Sequence, residues 1–183
     1  MPANNRAGSY RTCCGQLLCA KCDAGVVYGG PDICPYCRAP GAKTGADTFA
    51  RLNALIDKNP DNEKALSHLG DSYRRGDGVK ADINEARRLY ERAAALGDAG
   101  AAVGLAEIYA QGLGVTIDAA EARRYFELGI ELGSIVAIHN LGVFLVMNGN
   151  ETEAKTYFIR AAARGYADSV NRVLPSCSAH SRG

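Results

Sequence analysis

Six of the seven cysteines fall within 25 residues near the start of the chain: Cys13-Cys14, Cys19-x2-Cys22 and Cys34-x2-Cys37. Thiolates are soft ligands, and two C-x2-C pairs a loop apart can surround a tetrahedral Zn²⁺ at Zn–S distances of about 2.3 Å. Such a site is structural more often than catalytic, so the chemistry it points to is recognition of a partner. Three ligand arrangements are open. Cys19, Cys22, Cys34 and Cys37 can form one ribbon-like site. Alternatively, Cys13 and Cys14 join Cys34 and Cys37 in a cross-braced site, leaving Cys19 and Cys22 as half of another. A third arrangement is a shared or partly occupied site with a ligand from elsewhere. Two consecutive cysteines on one ion require a kinked backbone, because in an extended chain their side chains point apart.

The segment is too poor in large apolar side chains to fold unaided, and structural zinc can contribute about 10–16 kcal/mol of apparent binding energy to folding. Beyond Cys37 the composition turns rich in Ala, Gly and Leu, which argues for a small module joined to a longer one. The formal net charge is +1 with both signs interleaved, so neither a nucleic-acid backbone nor an anionic membrane is called for. Met1 to Arg6 lack the apolar core of a signal peptide, and no apolar run is long enough to span a bilayer. The expected location is intracellular, in the cytoplasm, where clustered thiols favour metal over disulfides.

The residues after Asp61 repeat at an offset of 36. Ala65, Leu69, Gly70, Tyr73, Gly76, Gly78, Asp82, Glu85, Ala86, Tyr90 and Gly97 recur as Ala101, Leu105, Ala106, Tyr109, Gly112, Gly114, Asp118, Glu121, Ala122, Phe126 and Gly133. A third copy runs through Ala137, Leu141, Gly142, Gly149, Glu153, Ala154, Phe158 and Gly165, with a loop four residues shorter. Each copy reads as two antiparallel helices. The first spans Glu63 to about Arg75, with one apolar stripe at three/four spacing. The second spans Ile83 to Leu96, with Asp82 as N-cap, Glu85 as its box partner and Gly97 as a left-handed stop. Small residues at Gly70, Ala106 and Gly142 let neighbouring helices approach, and Tyr73, Tyr90, Tyr109 and Phe126 fill the gaps. Stacked pairs bury what one pair alone cannot.

The pattern A-x3-L-G-x2-Y-x2-G-x-G-V-x2-D-x2-E-A-x3-Y-x2-A-A-x2-G from Ala65 to Gly97 resembles Sel1-like repeats, relatives of the tetratricopeptide repeat. That resemblance implies a superhelical scaffold that holds other proteins. The stretches C-C-G-Q-L-L-C-A-K-C and I-C-P-Y-C-R-A-P resemble the last three quarters of a RING finger, in the variants with C-C-G. The resemblance implies that the doubled cysteine replaces the missing histidine, whose usual place Gln16 takes. It also implies that Pro35 contacts a ubiquitin-conjugating enzyme and Arg38 its bound ubiquitin. A RING uses eight ligands for two zincs, with its first C-x2-C ahead of Cys13, and residues 1–12 hold neither Cys nor His. The expectation is either a truncated product or a finger reduced to one metal.

Other features read as structure. Gly76-Asp77-Gly78 and Gly112-Leu113-Gly114 lack the strand-loop-helix context of a phosphate loop and are helix–helix turns. His68 and His139 are lone histidines with satisfied or surface roles. Arg74-Arg75, Arg87-Arg88 and Arg123-Arg124 are solvated pairs beside carboxylates, and Cys177 is a free thiol. No set of side chains forms a small-molecule catalytic site.

The expected architecture is therefore mostly α. A zinc-bound RING-like module (10–40) holds Zn²⁺ through Cys13, Cys14, Cys19, Cys22, Cys34 and Cys37. Gly41 to Asp47 link it to an α-solenoid of Sel1-like helix pairs (48–174), followed by a disordered tail (175–183). A first helix, Thr48 to Lys58, turns Phe49, Leu52, Leu55 and Ile56 towards the first repeat, and a partial helix near 167–174 ends the stack before Pro175. Function is expected to be that of a zinc-binding scaffold or adaptor for a protein partner. The alternative is a RING-type E3 ubiquitin-protein ligase whose repeats select the substrate. Such a ligase positions its partners rather than reacting with them, so lack of a nucleophile does not separate the two.

Overall fold

The computed structural model describes residues 9–11, 16–18 and 44–173, which group into two compact units, Met1–Ala101 and Ala102–Gly183. The first unit opens with two short antiparallel strands, β1 (Ser9–Arg11) and β2 (Gln16–Leu18), in the register Ser9↔Leu18, Tyr10↔Leu17, Arg11↔Gln16. The six clustered cysteines, Pro35, Arg38 and Cys177 lie outside the described residues.

Helix α1 runs Gly45–Lys58, three residues earlier than the sequence suggests. Thr44 is the reason: its Oγ1 accepts from Asp47 N at 3.1 Å while Asp47 Oδ2 accepts from Thr44 N at 3.2 Å, a complete capping box. The stretch expected as a linker thus ends in a helical turn packed on the first repeat's loop. A Cβ on Gly45 would stand 1.8 Å from Asp77 Oδ1 and 2.9 Å from the backbone nitrogen of Gly78. Leu52 is fully buried, and Phe49 meets Tyr73 edge-on at 5.5 Å, as the apolar stripe of this helix requires.

Next come α2 (Glu63–Arg75), α3 (Ile83–Ala95) and α4 (Ala99–Gln111), with the unit boundary inside α4. The second unit continues with α5 (Ala119–Glu131), α6 (Ile135–Met147), α7 (Glu151–Ala163) and the seven-residue α8 (Ala167–Val173). The helical pairs α2/α3, α4/α5 and α6/α7 are the three copies read from the sequence.

Two devices recur. A ring lies on a small residue inside the pair: a Cβ on Gly70 would stand 2.7 Å from Tyr90 Cε1, and one on Gly142 would stand 2.8 Å from Phe158 Cε1. In the second copy Ala106 and Phe126 belong to one buried cluster. The second device is a two-residue junction. Gly97, Gly133 and Gly165 adopt φ of 96°, 90° and 87° with no neighbour inside 4 Å, so backbone conformation rather than space selects glycine there. The residue after Gly97 and after Gly133 caps the next helix, with Asp98 Oδ1 accepting from Ala101 N and Ser134 Oγ from Ala137 N. Asn62 does the same for α2 through Ala65 N.

Asp82 and Asp118 cap α3 and α5, accepting from Glu85 N at 3.1 Å and Glu121 N at 3.0 Å. The expected box is incomplete, however. The Glu85 carboxylate takes two bonds from Arg88, and Glu121 takes two from Arg124, because an arginine one turn on outcompetes a backbone donor already at the helix end. Neither α3 nor α5 forms a capping box.

Candidate protein-interaction groove

The last turns of α2, α4 and α6 occupy the same repeat position and carry different chemistry. In the first copy the residues are Asp71, Arg74 and Arg75; in the second, Glu107, Ala110 and Gln111; in the third, Val143, Val146 and Met147. The ring that packs beneath them is Tyr90, then Phe126, then Phe158.

In the first copy the position is filled from within. Tyr90 OH donates to Asp71 Oδ1 at 2.8 Å, and Arg74 reaches Tyr90 OH through Nε at 3.2 Å and Asp71 through a guanidinium nitrogen at 3.4 Å. Burial and the Asp71 carboxylate hold the Tyr90 phenol well above its ordinary pKa, so it stays a donor at any physiological pH. What remains is a polar hollow of about 200 Å³ beside Thr48, His68, Asp71 and Arg75. His68 is half-exposed there, with Nδ1 3.8 Å from Asp71; desolvation lowers its pKa and Asp71 works against that shift.

The second unit has an apolar groove of about 360 Å³ between the tips of α4 and α6, roofed on one side by the α4–α5 loop and floored by Phe126 and Phe144, whose rings are 5.7 Å apart. Ile117 (71% exposed) and Met147 (80% exposed) form its lips, far more apolar surface than a solvated loop or turn requires. Among the described residues its one charged lining residue is Glu107, half-buried, whose Oε1 accepts from Asn140 Nδ2 at 3.4 Å; Gln111 and Asn148 complete a rim of amides. Helix α6 has no charged residue from Ile135 to Met147, and a three-residue turn, Asn148-Gly149-Asn150, replaces the longer loop of the other copies. Hydrophobic periodicity alone does not reveal this groove. The signal is a column of the repeat alignment in which arginine gives way to Ala110 and Val146.

His139 is satisfied as expected: 9% exposed, it meets Ser169 Oγ through Nδ1 at 2.7 Å and lies against Tyr166 and Phe158 at 4.8 and 5.5 Å. Burial lowers its pKa, Arg172 adds to the shift and Asp168 opposes it. Arg123 binds Glu153 at 2.7 Å and Glu127 at 2.9 Å, and Arg75 faces Asp71, in exposed pairs of small energetic weight, as read. Arg74 departs from that reading: its side chain is 22% exposed and drawn into the network with Tyr90 and Asp71, because the phenol and carboxylate beneath it offer it partners out of water. Among the described residues no three of His, Cys, Asp or Glu come together around a metal-sized site.

The family model of the Sel1 repeat matches residues 60–98, 99–134 and 135–166, more than half of the chain and one match for each helix pair. The chain belongs to the Sel1 repeat family. Its structure is similar to the crystal structure of a Sel1 repeat protein from Oxalobacter formigenes, at 29% identity and a TM-score of 0.63, over 72% of this chain and 54% of that one. The chain thus spans about half the length of that relative. The fold is also that of c5321, a protective antigen of uropathogenic Escherichia coli strains displaying an SLR fold (22% identity, TM-score 0.60, 70% of this chain and 28% of that one). A more distant likeness is to MamA, at 15% identity and a TM-score of 0.52, over 70% of this chain and 74% of that one. No curated protein matches the chain. Residues 60–166 are thereby helix pairs of the all-helical Sel1 and tetratricopeptide-like kind. Among the described residues no helix is long and apolar enough to cross a membrane.

Proposed function

We propose that this chain is an adaptor: its Sel1 repeats hold one protein while the cysteine-rich segment, folded on Zn²⁺, presents a second docking surface. The observation that carries the repeat half is the groove of the second unit, with Ile117 and Met147 exposed on its lips in a family whose repeats mediate protein–protein interaction. The zinc half rests on Cys13, Cys14, Cys19, Cys22, Cys34 and Cys37.

Zinc content of the purified full chain tests this half directly. A ratio near one supports a single site and near two a pair, whereas a ratio near zero removes the module. Chelation should then expose the first forty or so residues to protease while leaving the repeat helices intact, because the binding energy of a structural zinc is its folding energy.

A second reading has specific residues behind it. Pro35 inside the last knuckle and Arg38 just after it stand where a RING-type ubiquitin ligase meets its conjugating enzyme and ubiquitin, with the repeats choosing the substrate. Autoubiquitination abolished by Arg38→Ala would establish it; no transfer with any conjugating enzyme leaves the adaptor.

A further inference from the structure

We propose that α8 is a latch that mild acid releases: at neutral pH the His139–Ser169 pair seats it against α6 and α7, and a positively charged His139 drives it off. The inference stands apart from the adaptor reading and from the groove. Helix α8 follows Gly165 as α4 follows Gly97 and α6 follows Gly133, so Ser169 takes the place of the buried Ala101 and Ala137. Two residues beyond Ala137, His139 takes the place of Val103. The earlier joint of the second unit is apolar, with Val103 and Ala137 in one buried cluster. The joint that seats α8 is instead polar and closed. Ser169 is fully buried, His139 is 9% exposed, and their Oγ and Nδ1 meet at 2.7 Å.

Docking is what makes α8 helical. It has seven residues, and an isolated helix shorter than about 12 residues is marginal at best in water. The His139 ring is walled by Phe158 of α7 and by Tyr166 of the junction, and Ser169 covers its Nδ1 edge. The charges that act on it come from α8: Arg172 opposes a second positive charge and Asp168 favours one. Helix α6 carries no Asp, Glu, Lys or Arg, and α7 turns the uncharged ring of Phe158 to the histidine. Charging His139 does not break the hydrogen bond, because the hydroxyl can turn and accept from the ring. The cost lies in the water that the closed joint excludes and in Arg172, and both are relieved when α8 leaves. A proton on His139 therefore favours the open state. Opening bares the ring of Phe158, over which the Arg172 guanidinium lies at 5.6 Å.

Hydrogen exchange of the full chain, read by mass spectrometry from pH 7 to pH 5 and corrected for intrinsic rates, tests the latch. Residues 167–173 should lose protection several-fold as pH falls below the ordinary histidine value of 6.5, by at most about tenfold per pH unit for one proton, while α6 and α7 keep theirs. His139→Gln keeps a polar partner for Ser169 but takes up no proton, and should make the protection of α8 independent of pH. His139→Val with Ser169→Ala, which rebuilds the apolar joint of Val103 and Ala137, should do the same. Protection of α8 that does not change with pH in the unaltered chain, that falls equally in His139→Gln, or that is already absent at pH 7 overturns the proposal. Loss of protection by α6 and α7 in step with α8 overturns it too, because the whole unit is then melting. Neither zinc content nor partner binding enters this experiment, so the adaptor reading is decided separately.

Discussion

The first and third repeats share a frame and differ in what stands over it. Tyr90 lies on Gly70 in one and Phe158 on Gly142 in the other, so the backbones meet through the same ring-on-glycine contact. Above the first ring, Asp71 and Arg74 close a polar network of 2.8–3.4 Å contacts. Beyond the second copy's ring, Val143, Phe144 and Met147 continue an apolar surface into an open groove. A repeat can thus keep its stability in the inner ring and spend its outer turn on recognition.

The strongest way to break this comparison is to remove the rings. Phe158→Ala should cost about 3–5 kcal/mol in chemical denaturation, by lost apolar burial and the cavity left on Gly142. Tyr90→Ala should fall in the same range; a cost several-fold smaller in either repeat would mean the frames are not equivalent. A smaller effect is expected at the junction after the first repeat. Asp98 is 2% exposed and ion-paired to Lys64, which is 41% exposed, whereas the next junction uses the neutral Ser134. Lys64→Met should destabilise by about 1–3 kcal/mol by leaving a buried carboxylate without its cation. Adding Asp98→Ser should recover most of that loss; no recovery would show that the charge is not what the lysine serves. Smaller again, Tyr90→Phe should cost about 1 kcal/mol by removing the hydroxyl from Asp71 and Arg74, since each retains the other.

The smallest effect is pH dependence. The pKa values of His139 and His68 are lowered from 6.5, so the unfolded chain takes up protons first and the folded state loses stability as pH falls below 6.5 towards the lowered values. Their full contribution is present above that window. His139→Gln should flatten the acid limb of a melting-temperature profile measured from pH 7 to 5, and an unchanged slope would assign the dependence elsewhere.

The helix pairs are legible because their signals are redundant. Ala65, Ala101 and Ala137 mark the buried face of one helix in each copy, and Gly97, Gly133 and Gly165 mark the end of the other. The caps at Asn62, Asp98 and Ser134 were equally available, as the residues three before each repeated alanine, yet they vary in type and so escape a search for identity. The box assigned to Glu85 and Glu121 fails because a capping pattern does not reveal competitors, and Arg88 and Arg124 each lie one turn away. Strands β1 and β2, three residues each, carry too short an alternation to be read without their pairing. The groove escaped for another reason: it arises from side chains that are missing, Ala110 for arginine and Phe126 for tyrosine, and patterns of what is present do not register a vacancy. The proposed zinc ligands between Cys13 and Cys37, with Pro35 and Arg38, lie outside the described residues.

The junction dipeptide has an evolutionary consequence. Gly97-Asp98 and Gly133-Ser134 each terminate one helix and start the next, so a residue inserted there would throw both ends out of phase at once. The turn within a repeat has no such double duty, and the chain has shortened it by four residues between the second and third copies without disturbing either helix. Diversification of this array should therefore accumulate at the helix tips that border the groove, leaving the couplings between modules as its invariant grammar.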